Sequence, residues 1–257
     1  MAAKNSDAGT VIAGRNPVRE ALERGQGLEK VFLQNGMDRR VAGEIRSLAK
    51  AAGVPVQSVP AQRLERLVPG VNHQGVAAVG AEVDYVEVDD MLRGIAPERD
   101  DVQQRKPIIL LLDGVQDSHN LGAILRSAVA AGVDGVVLPN RGASGVNAAA
   151  VKTSAGTAGR IPIARVDDLA QTVMQLKERG YWVAGADGSG KETVWGMDWN
   201  RPLALVLGSE SDGMSRQVAR SCDFRVSIPM RGPAESLNVS VAAGILLFAA
   251  ARSRLAV

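Results

Sequence analysis

Short runs of apolar residues alternate with amphipathic segments along most of the chain, most clearly in its second half. The apolar runs predict buried strands at PIILLLD, GVVLP, IPIARV, YWVAGA, LALVLG and FRVSIP. The segments between these runs predict helices. Continuous apolar strands separated by helices indicate a parallel sheet with helices on both faces, which is an α/β fold.

The predicted helices of this half point to a site and argue against a membrane span. They are NLGAILRSAVAAG, residues near 146–153, residues 167–179, a segment after Ser215 and SLNVSVAAGILLFAAA. The last is the most apolar, but it is shorter than the roughly 20 residues that cross a bilayer, so we expect a buried helix and no membrane partner. Ligands of parallel sheets bind beyond the carboxyl ends of the strands, which directs attention to the loops after PIILLLD, LALVLG and FRVSIP.

Residues 1–79 show the same alternation on a smaller scale and predict a small α/β domain. Asn16 is a candidate N-cap, with Pro17 at the first helical position. Strands are predicted at LEKVFL, VPVQSV and GVAAVGAEV, and helices around Ile45 and at AQRLERLV. Arginine supplies most of the positive charge and suits forked contacts with phosphate; a solvated helix surface is the alternative interpretation. These arginines are Arg15, Arg19, Arg39, Arg40, Arg46, Arg63 and Arg66.

The composition is that of a globular protein with 257 residues, 46% hydrophobic residues and a net charge of +2. So small a net charge argues against binding polyanions by bulk charge, and any nucleic-acid contact must be a local patch. Residues 80–106 carry 8 acidic and 4 basic side chains. They predict an acidic linker between a first domain, residues 1–79, and a second, residues 107–257.

Cysteine and histidine usage excludes further classes of site. Cys222 is the single cysteine, and there are two histidines. An intramolecular disulfide and a multi-cysteine metal site are therefore excluded, and no metal is expected.

Residues 1–10 lack the apolar centre of a signal peptide, so we expect a cytoplasmic protein.

The stretch GADGSGKE at residues 185–192 resembles a phosphate-binding loop. Glu192 stands where that motif needs a serine or threonine to hold magnesium, and a carboxylate there repels a triphosphate. The segment that follows shows no helix pattern whose N-terminus receives phosphate. This argues against a nucleotide hydrolase and favours a flexible glycine-rich surface loop.

Three loops of the second domain carry candidate chemistry. In residues 111–128, Asn120 is a candidate helix cap, and Arg126 stands among apolar neighbours, where a charge needs a partner. In residues 203–215, Gly208 permits close approach of a ligand, while Glu210 is either a pairing carboxylate for Arg126 or an exposed turn residue. In residues 228–250, Ser236 and Asn238 precede the most apolar helix and are either site residues or caps.

Taken in order, the motifs NLGAILR, GSESDG and IPMRGPAESLNVSVA resemble those of the SpoU/TrmH family of RNA 2′-O-ribose methyltransferases. IAGRNPVREAL and NHQGVAAV are similar to the N-terminal substrate-binding domain of the subgroup that methylates a guanosine in large-subunit ribosomal RNA. The resemblance covers nearly the whole chain. Two positions depart from the family pattern, Ser118 in place of proline and Gly159 in place of an acidic residue.

The resemblance implies both a fold and a set of site residues. The implied fold is a parallel sheet ending in a C-terminal trefoil knot, preceded by a small α/β substrate-binding domain of the L30e-like type. The implied catalytic residues are Asn120, Arg126, Glu210, Ser236 and Asn238, and the implied cofactor-binding residues are Gly208, Ile228 and Leu237.

The resemblance also implies an activity. S-adenosylmethionine donates a methyl group to the ribose 2′-hydroxyl of a guanosine in ribosomal RNA, within a homodimer that brings motif-one residues near the partner's cofactor. A guanidinium is always protonated, so Arg126 is expected to position an RNA phosphate, and Glu210 is a second candidate base. The same chemistry on tRNA and a noncatalytic RNA-binding protein on this scaffold are the alternatives.

Overall fold

The computed structural model describes residues 11–24, 28–80 and 83–254, which form two compact units. The first unit extends to residue 84 and includes residues 145–149, and the second contains residues 85–144 and those from 150 onward. Within the described part of the chain, no helix combines the length and apolar character that crossing a bilayer requires.

The first unit is a four-stranded sheet covered by helices. Its elements are β1 Val11–Ala13, α1 Arg15–Glu23, β2 Leu28–Gln34, α2 Arg39–Ala51, β3 Val56–Val59, α3 Ala61–Leu67 and β4 Val76–Gly80. The order is β1-β4-β2-β3, with β4 antiparallel to β1 and β2. Val31 and Leu33 of β2 join one buried cluster and Phe32 joins another, because successive side chains of a strand point to opposite faces.

Helix α1 begins one residue before the predicted cap. Gly14, with a φ of 106°, occupies the cap position, so Asn16 is the second helical residue and Pro17 the third. Proline is tolerated there because the first amide groups of a helix have no partner within it.

The second unit is a parallel sheet of eight strands between helices. Its elements are β5 Tyr85–Val86, α4 Val88–Ile95, α5 Arg99–Arg105, β6 Ile108–Asp113, α6 Ser118–Ala130, β7 Gly135–Pro139, α7 Ala148–Thr153 (whose first two residues belong to the first unit), β8 Ile163–Val166, α8 Leu169–Glu178, β9 Trp182–Ala186, β10 Glu192–Thr193, β11 Leu203–Gly208, α9 Arg216–Ser221, β12 Phe224–Ser227 and α10 Val239–Arg252. The strand order is β10-β12-β9-β11-β6-β7-β8-β5. The predicted parallel α/β fold is confirmed.

Residues 80–106 differ from the predicted linker, because β5, α4 and α5 all belong to the second unit. Strand β5 pairs with β8, and Leu92 and Val102 are buried in the same cluster as Leu111. Apolar residues are few here, but they are spaced to form one helix face. Four of the acidic residues, Asp89, Asp90, Asp100 and Asp101, occupy the first turns of α4 and α5, where the positive helix end favours them.

Candidate functional site

A cavity of about 690 Å³ opens beyond the carboxyl ends of three adjacent strands, β9, β11 and β12. Its walls are the loops that follow these strands and the beginning of α10. This is the edge at which parallel α/β sheets bind ligands, and the volume lies in the range of small-molecule sites.

The charged side chains of this cavity are all acidic. Asp187, Glu210, Asp212 and Glu235 line it, and no lysine, arginine or histidine is among its described lining residues. Apolar side chains, among them Leu246, complete the walls. Such a lining attracts a cationic ligand and repels a polyphosphate.

Gly208 is required by the protein's own backbone. A Cβ atom at this position would lie 2.0 Å from the carbonyl carbon of Gly213 and 2.2 Å from the amide nitrogen of Met214. The chain folds back here because Ser209 and Gly213 exchange backbone hydrogen bonds of 3.0 and 3.1 Å. The sequence predicted that a ligand approaches the backbone closely at Gly208. In the structure, it is the protein's own turn that lies close to Gly208, at the wall of the cavity.

Three of the predicted site residues form one hydrogen-bonded chain, which we call the amide relay: Asn238, Asn120 and Glu210. The side-chain nitrogen of Asn238 donates to the side-chain oxygen of Asn120 at 3.0 Å. The side-chain nitrogen of Asn120 in turn donates to Oε1 of Glu210. Residues from α6, the start of α10 and the loop after β11 are thereby joined at the cavity.

The direction of the amide relay is fixed by helix α10. Asn238 is the N-cap of this helix, and its side-chain oxygen accepts from the backbone nitrogen of Ser240 at 2.9 Å. Asn238 must therefore present its nitrogen to Asn120, and Asn120 must present its own nitrogen to Glu210. The carboxylate of Glu210 is thus an acceptor, which suits its ionised form.

Asn120 is not the cap that the sequence predicted, because α6 begins earlier and Asp117 caps it by accepting from the backbone nitrogen of His119 at 2.8 Å. Both Asn120 and Arg126 are helical, and six residues place them on different sides of α6. Arg126 is exposed and has no hydrogen bond or ion pair among the described residues. It therefore stands outside the amide relay, and its predicted pairing with Glu210 is not formed.

The other predicted residues lie at the cavity. Ser236, Ile228 and Leu237 line it together with Gly208 and Glu210, whereas Asn120, Arg126 and Asn238 do not. Ile228 follows β12, and Leu237 precedes the cap of α10. The loops after LALVLG and FRVSIP thus meet, as their strand positions predicted.

Sequence reasoning missed the loop after β9, which was interpreted as a flexible surface loop. Asp187 and Gly188 from this loop line the cavity beside Ala186, the last residue of β9. Hydrogen bonds from the hydroxyl and amide of Ser189 lower the pKa of Asp187, and Arg225 lies 3.3 Å from its carboxylate. The signal was available: YWVAGA is a predicted parallel strand, so its carboxyl end belongs to the same edge as the other loops.

Comparisons with known proteins agree with this geometry. The model of the SpoU rRNA Methylase family matches residues 107–248, and a model named RNA 2′-O ribose methyltransferase substrate binding matches residues 11–86. YacO of Bacillus subtilis, named for the TrmH family of tRNA/rRNA methyltransferases, is 42% identical over 95% of both chains. A protein of Staphylococcus haemolyticus with the same family name is 40% identical over 95% of this chain and 96% of its own.

Solved structures are similar over most of the chain. The SpoU methyltransferase AviRb of Streptomyces viridochromogenes has a TM-score of 0.59 and 27% identity, covering 95% of this chain and 89% of its own. An AdoMet-bound rRNA methyltransferase of Sinorhizobium meliloti has a TM-score of 0.59 and 26% identity, covering 96% and 88%.

Proposed function

This chain belongs to the SpoU family of RNA methyltransferases, and on that premise we propose that it methylates the ribose 2′-hydroxyl of a guanosine in large-subunit ribosomal RNA. S-adenosylmethionine is the methyl donor. The observation that carries the proposal is the cavity at the sheet edge, whose charged lining is entirely acidic and whose wall holds Glu210 of the amide relay.

The cavity fits a sulfonium donor. When bound, S-adenosylmethionine supplies an electrophilic methyl group on a positively charged sulfur. Glu210, Asp212 and Glu235 of the lining favour that charge, while Asp187 is already paired with Arg225. Backbone groups at Gly208, Ile228 and Leu237 would hold it, as the family resemblance implies. A nucleoside triphosphate would meet the same carboxylates without a compensating cation among the described lining residues.

The amide relay positions the carboxylate that the reaction needs. Asn120 engages Oε1 of Glu210 and so fixes the orientation of the carboxylate, while Oε2 remains to accept a hydrogen bond from the ribose hydroxyl. Glu210 or solvent would take the hydroxyl proton as the oxygen gains the methyl carbon, while the carbon–sulfur bond of the donor would break and leave its electron pair on a neutral thioether. Ser236, at the cavity wall, orients the ribose.

Arg126 acts on RNA phosphate and does so from a second copy of the chain. Its side chain is exposed and lies on a different side of α6 from Asn120, so one chain does not bring both to one reacting group. In a homodimer the partner's α6 supplies the arginine. The proposal includes two further expectations. The chain forms the family's trefoil knot around the loops that line the cavity, and the protein is cytoplasmic.

The first unit captures the RNA. The carboxyl ends of β1, β2 and β3 share one edge of its sheet, and exposed arginines stand in the helical first turns that follow, at Arg15, Arg39, Arg40 and Arg63. Cations are unfavourable at the positive end of a helix, so folding alone does not account for them. Phosphate contacts do.

The test uses the full chain with methyl-labelled S-adenosylmethionine and two unmodified transcripts, large-subunit ribosomal RNA and a tRNA pool. We expect label on one guanosine 2′-oxygen of the ribosomal RNA. Label on tRNA alone would overturn the substrate assignment, and RNA binding without label would identify a noncatalytic protein.

A further inference from the structure

Trp195 is the most exposed large apolar side chain in the described part of the chain, with 61% of its surface open to solvent. By contrast, the ring of the partly exposed Trp182 lies 5.6 Å from that of Phe224 and under the guanidinium of Arg201. Trp195 has no ring or cation contact of this kind among the described residues. An indole exposed to this extent has a ring face free to stack on a ligand.

The turn that carries Trp195 is held firmly. The backbone nitrogen of Gly196 donates to the backbone oxygen of Thr193 at 3.0 Å and to its hydroxyl at 3.1 Å. Beneath the turn, the indole nitrogen of the buried Trp199 donates to the backbone oxygen of Val194 at 2.9 Å. The exposed ring is therefore presented by a fixed backbone, which reduces the entropy lost when a ligand stacks on it.

This turn begins at the wall of the cavity. Thr193, two residues before Trp195, lines the cavity. The backbone nitrogen of Val194 donates to the backbone oxygen of Ser227 at 2.8 Å, which joins the turn to the segment that continues into the cavity-lining Met230. Met230 is itself 39% exposed. Trp195 thus stands two residues from one cavity-lining residue, in a turn that is bonded to the segment leading to another.

We infer that Trp195 stacks on a nucleobase of the RNA whose ribose enters this cavity. The inference rests on the proposed function and adds a positioning residue to it. Each ribose carries a base, so a 2′-hydroxyl that reaches Glu210 brings a base to the cavity mouth. Lys191 and Arg231, exposed cations next to cavity-lining segments, supply the attraction for the backbone of the same strand.

The experiment compares Trp195→Ala and Trp195→Phe with Trp182→Ala and Trp182→Phe in the full chain. Trp182 is 44% exposed and begins β9 at the opposite end of the sheet from the cavity, which makes it a matched control. Steady-state methyl transfer is measured on the large-subunit ribosomal RNA transcript. Binding of S-adenosylmethionine is measured by calorimetry, the oligomeric state by sedimentation, and RNA binding by quenching of tryptophan fluorescence.

For Trp195→Ala we expect KM for RNA to rise about 5- to 150-fold, the range for loss of one base–aromatic stack. Trp195→Phe restores most of the loss, S-adenosylmethionine affinity is unchanged, and RNA-dependent quenching disappears with Trp195→Phe but not with Trp182→Phe. A KM within twofold of the unchanged protein, or an altered oligomeric state, overturns the inference. Methyl transfer absent from the unchanged protein overturns the proposed function instead, and the quenching comparison still decides whether Trp195 contacts RNA.

Discussion

The side-chain nitrogen of Asn238 donates to the side-chain oxygen of Asn120 across 118 residues of sequence. The N-cap bond of Asn238 fixes which atom of each amide faces the next residue, so Glu210 receives a donor whose identity is set by the start of α10. The hydrogen bond that caps α10 therefore also determines which group faces the carboxylate of Glu210.

Asn120→Asp should break the amide relay without changing the size of the side chain. A carboxylate at this position faces that of Glu210 and removes its donor. We expect kcat to fall at least about tenfold, or about 1.4 kcal/mol in the barrier, with the thermal unfolding midpoint little changed. Asn200→Asp is the control, because the oxygen of Asn200 accepts from Lys106 at 3.0 Å and an aspartate keeps that role. If the amide relay does not contribute to catalysis, the two variants will have the same kcat.

Arg126→Ala should leave folding and S-adenosylmethionine binding intact and abolish methyl transfer. Arg93→Ala, which removes an exposed arginine paired with Asp90 on its own helix, is the matched control and should retain activity. Normal turnover in Arg126→Ala would remove this side chain from the mechanism.

Mixing two inactive variants tests whether Arg126 acts across a dimer. Refolding Arg126→Ala with Asn120→Asp gives mixed dimers in which one site has both native residues, if the arginine comes from the partner. Equal mixing should restore about a quarter of the unmixed activity, because half of the dimers are mixed and each has one intact site. No recovery would place Asn120 and Arg126 of the same chain in one site.

Gly208→Ala should destabilise the second unit. The added methyl group meets the backbone of Gly213 and Met214, which cannot move aside as a flexible side chain does. We expect a loss of about 1–3 kcal/mol in the free energy of unfolding and weaker S-adenosylmethionine binding, followed by denaturant unfolding and calorimetry. Gly188→Ala lines the same cavity but meets no atom within 4 Å, so its unfolding should be unchanged. Equal stability of both variants would contradict the packing argument.

Cys222 should react slowly with iodoacetamide. Burial, with the nearby charge of Asp223, raises the pKa of this thiol to about 11. The thiolate is the reactive form, so the alkylation rate should climb steadily between pH 7 and 10 without reaching a plateau. In denaturant the same thiol should level off near the ordinary cysteine pKa of about 8.5. A plateau near that pH in the folded protein would show an accessible thiol.

The sequence predicted the parallel sheet because its strands are long apolar runs, such as Ile108–Asp113 and Leu203–Gly208. It did not predict β10, whose two residues carry no periodic signal. Residues 80–106 were misinterpreted because charge dominated the composition, while burial depended on a few apolar residues such as Leu92 and Val102. Hydrophobic patterns in the sequence thus predict long buried strands and helix faces better than short ones.

The site was predicted in part for the same reason. Strand ends located the loops of Gly208 and Ile228, but the partner of Asn120 depends on which way an amide faces after folding, and local spacing holds no such information. Asp187 was missed because its loop resembles a phosphate-binding loop, and that resemblance gives no sign that the loop lines a cavity.

The acidic lining also governs what happens after the methyl group has moved. Transfer converts the positively charged sulfur of the donor into a neutral thioether, so the spent molecule keeps its shape but loses its Coulomb attraction to the carboxylates of the lining. We therefore expect the acidic lining to favour the donor over its by-product when both compete for the pocket.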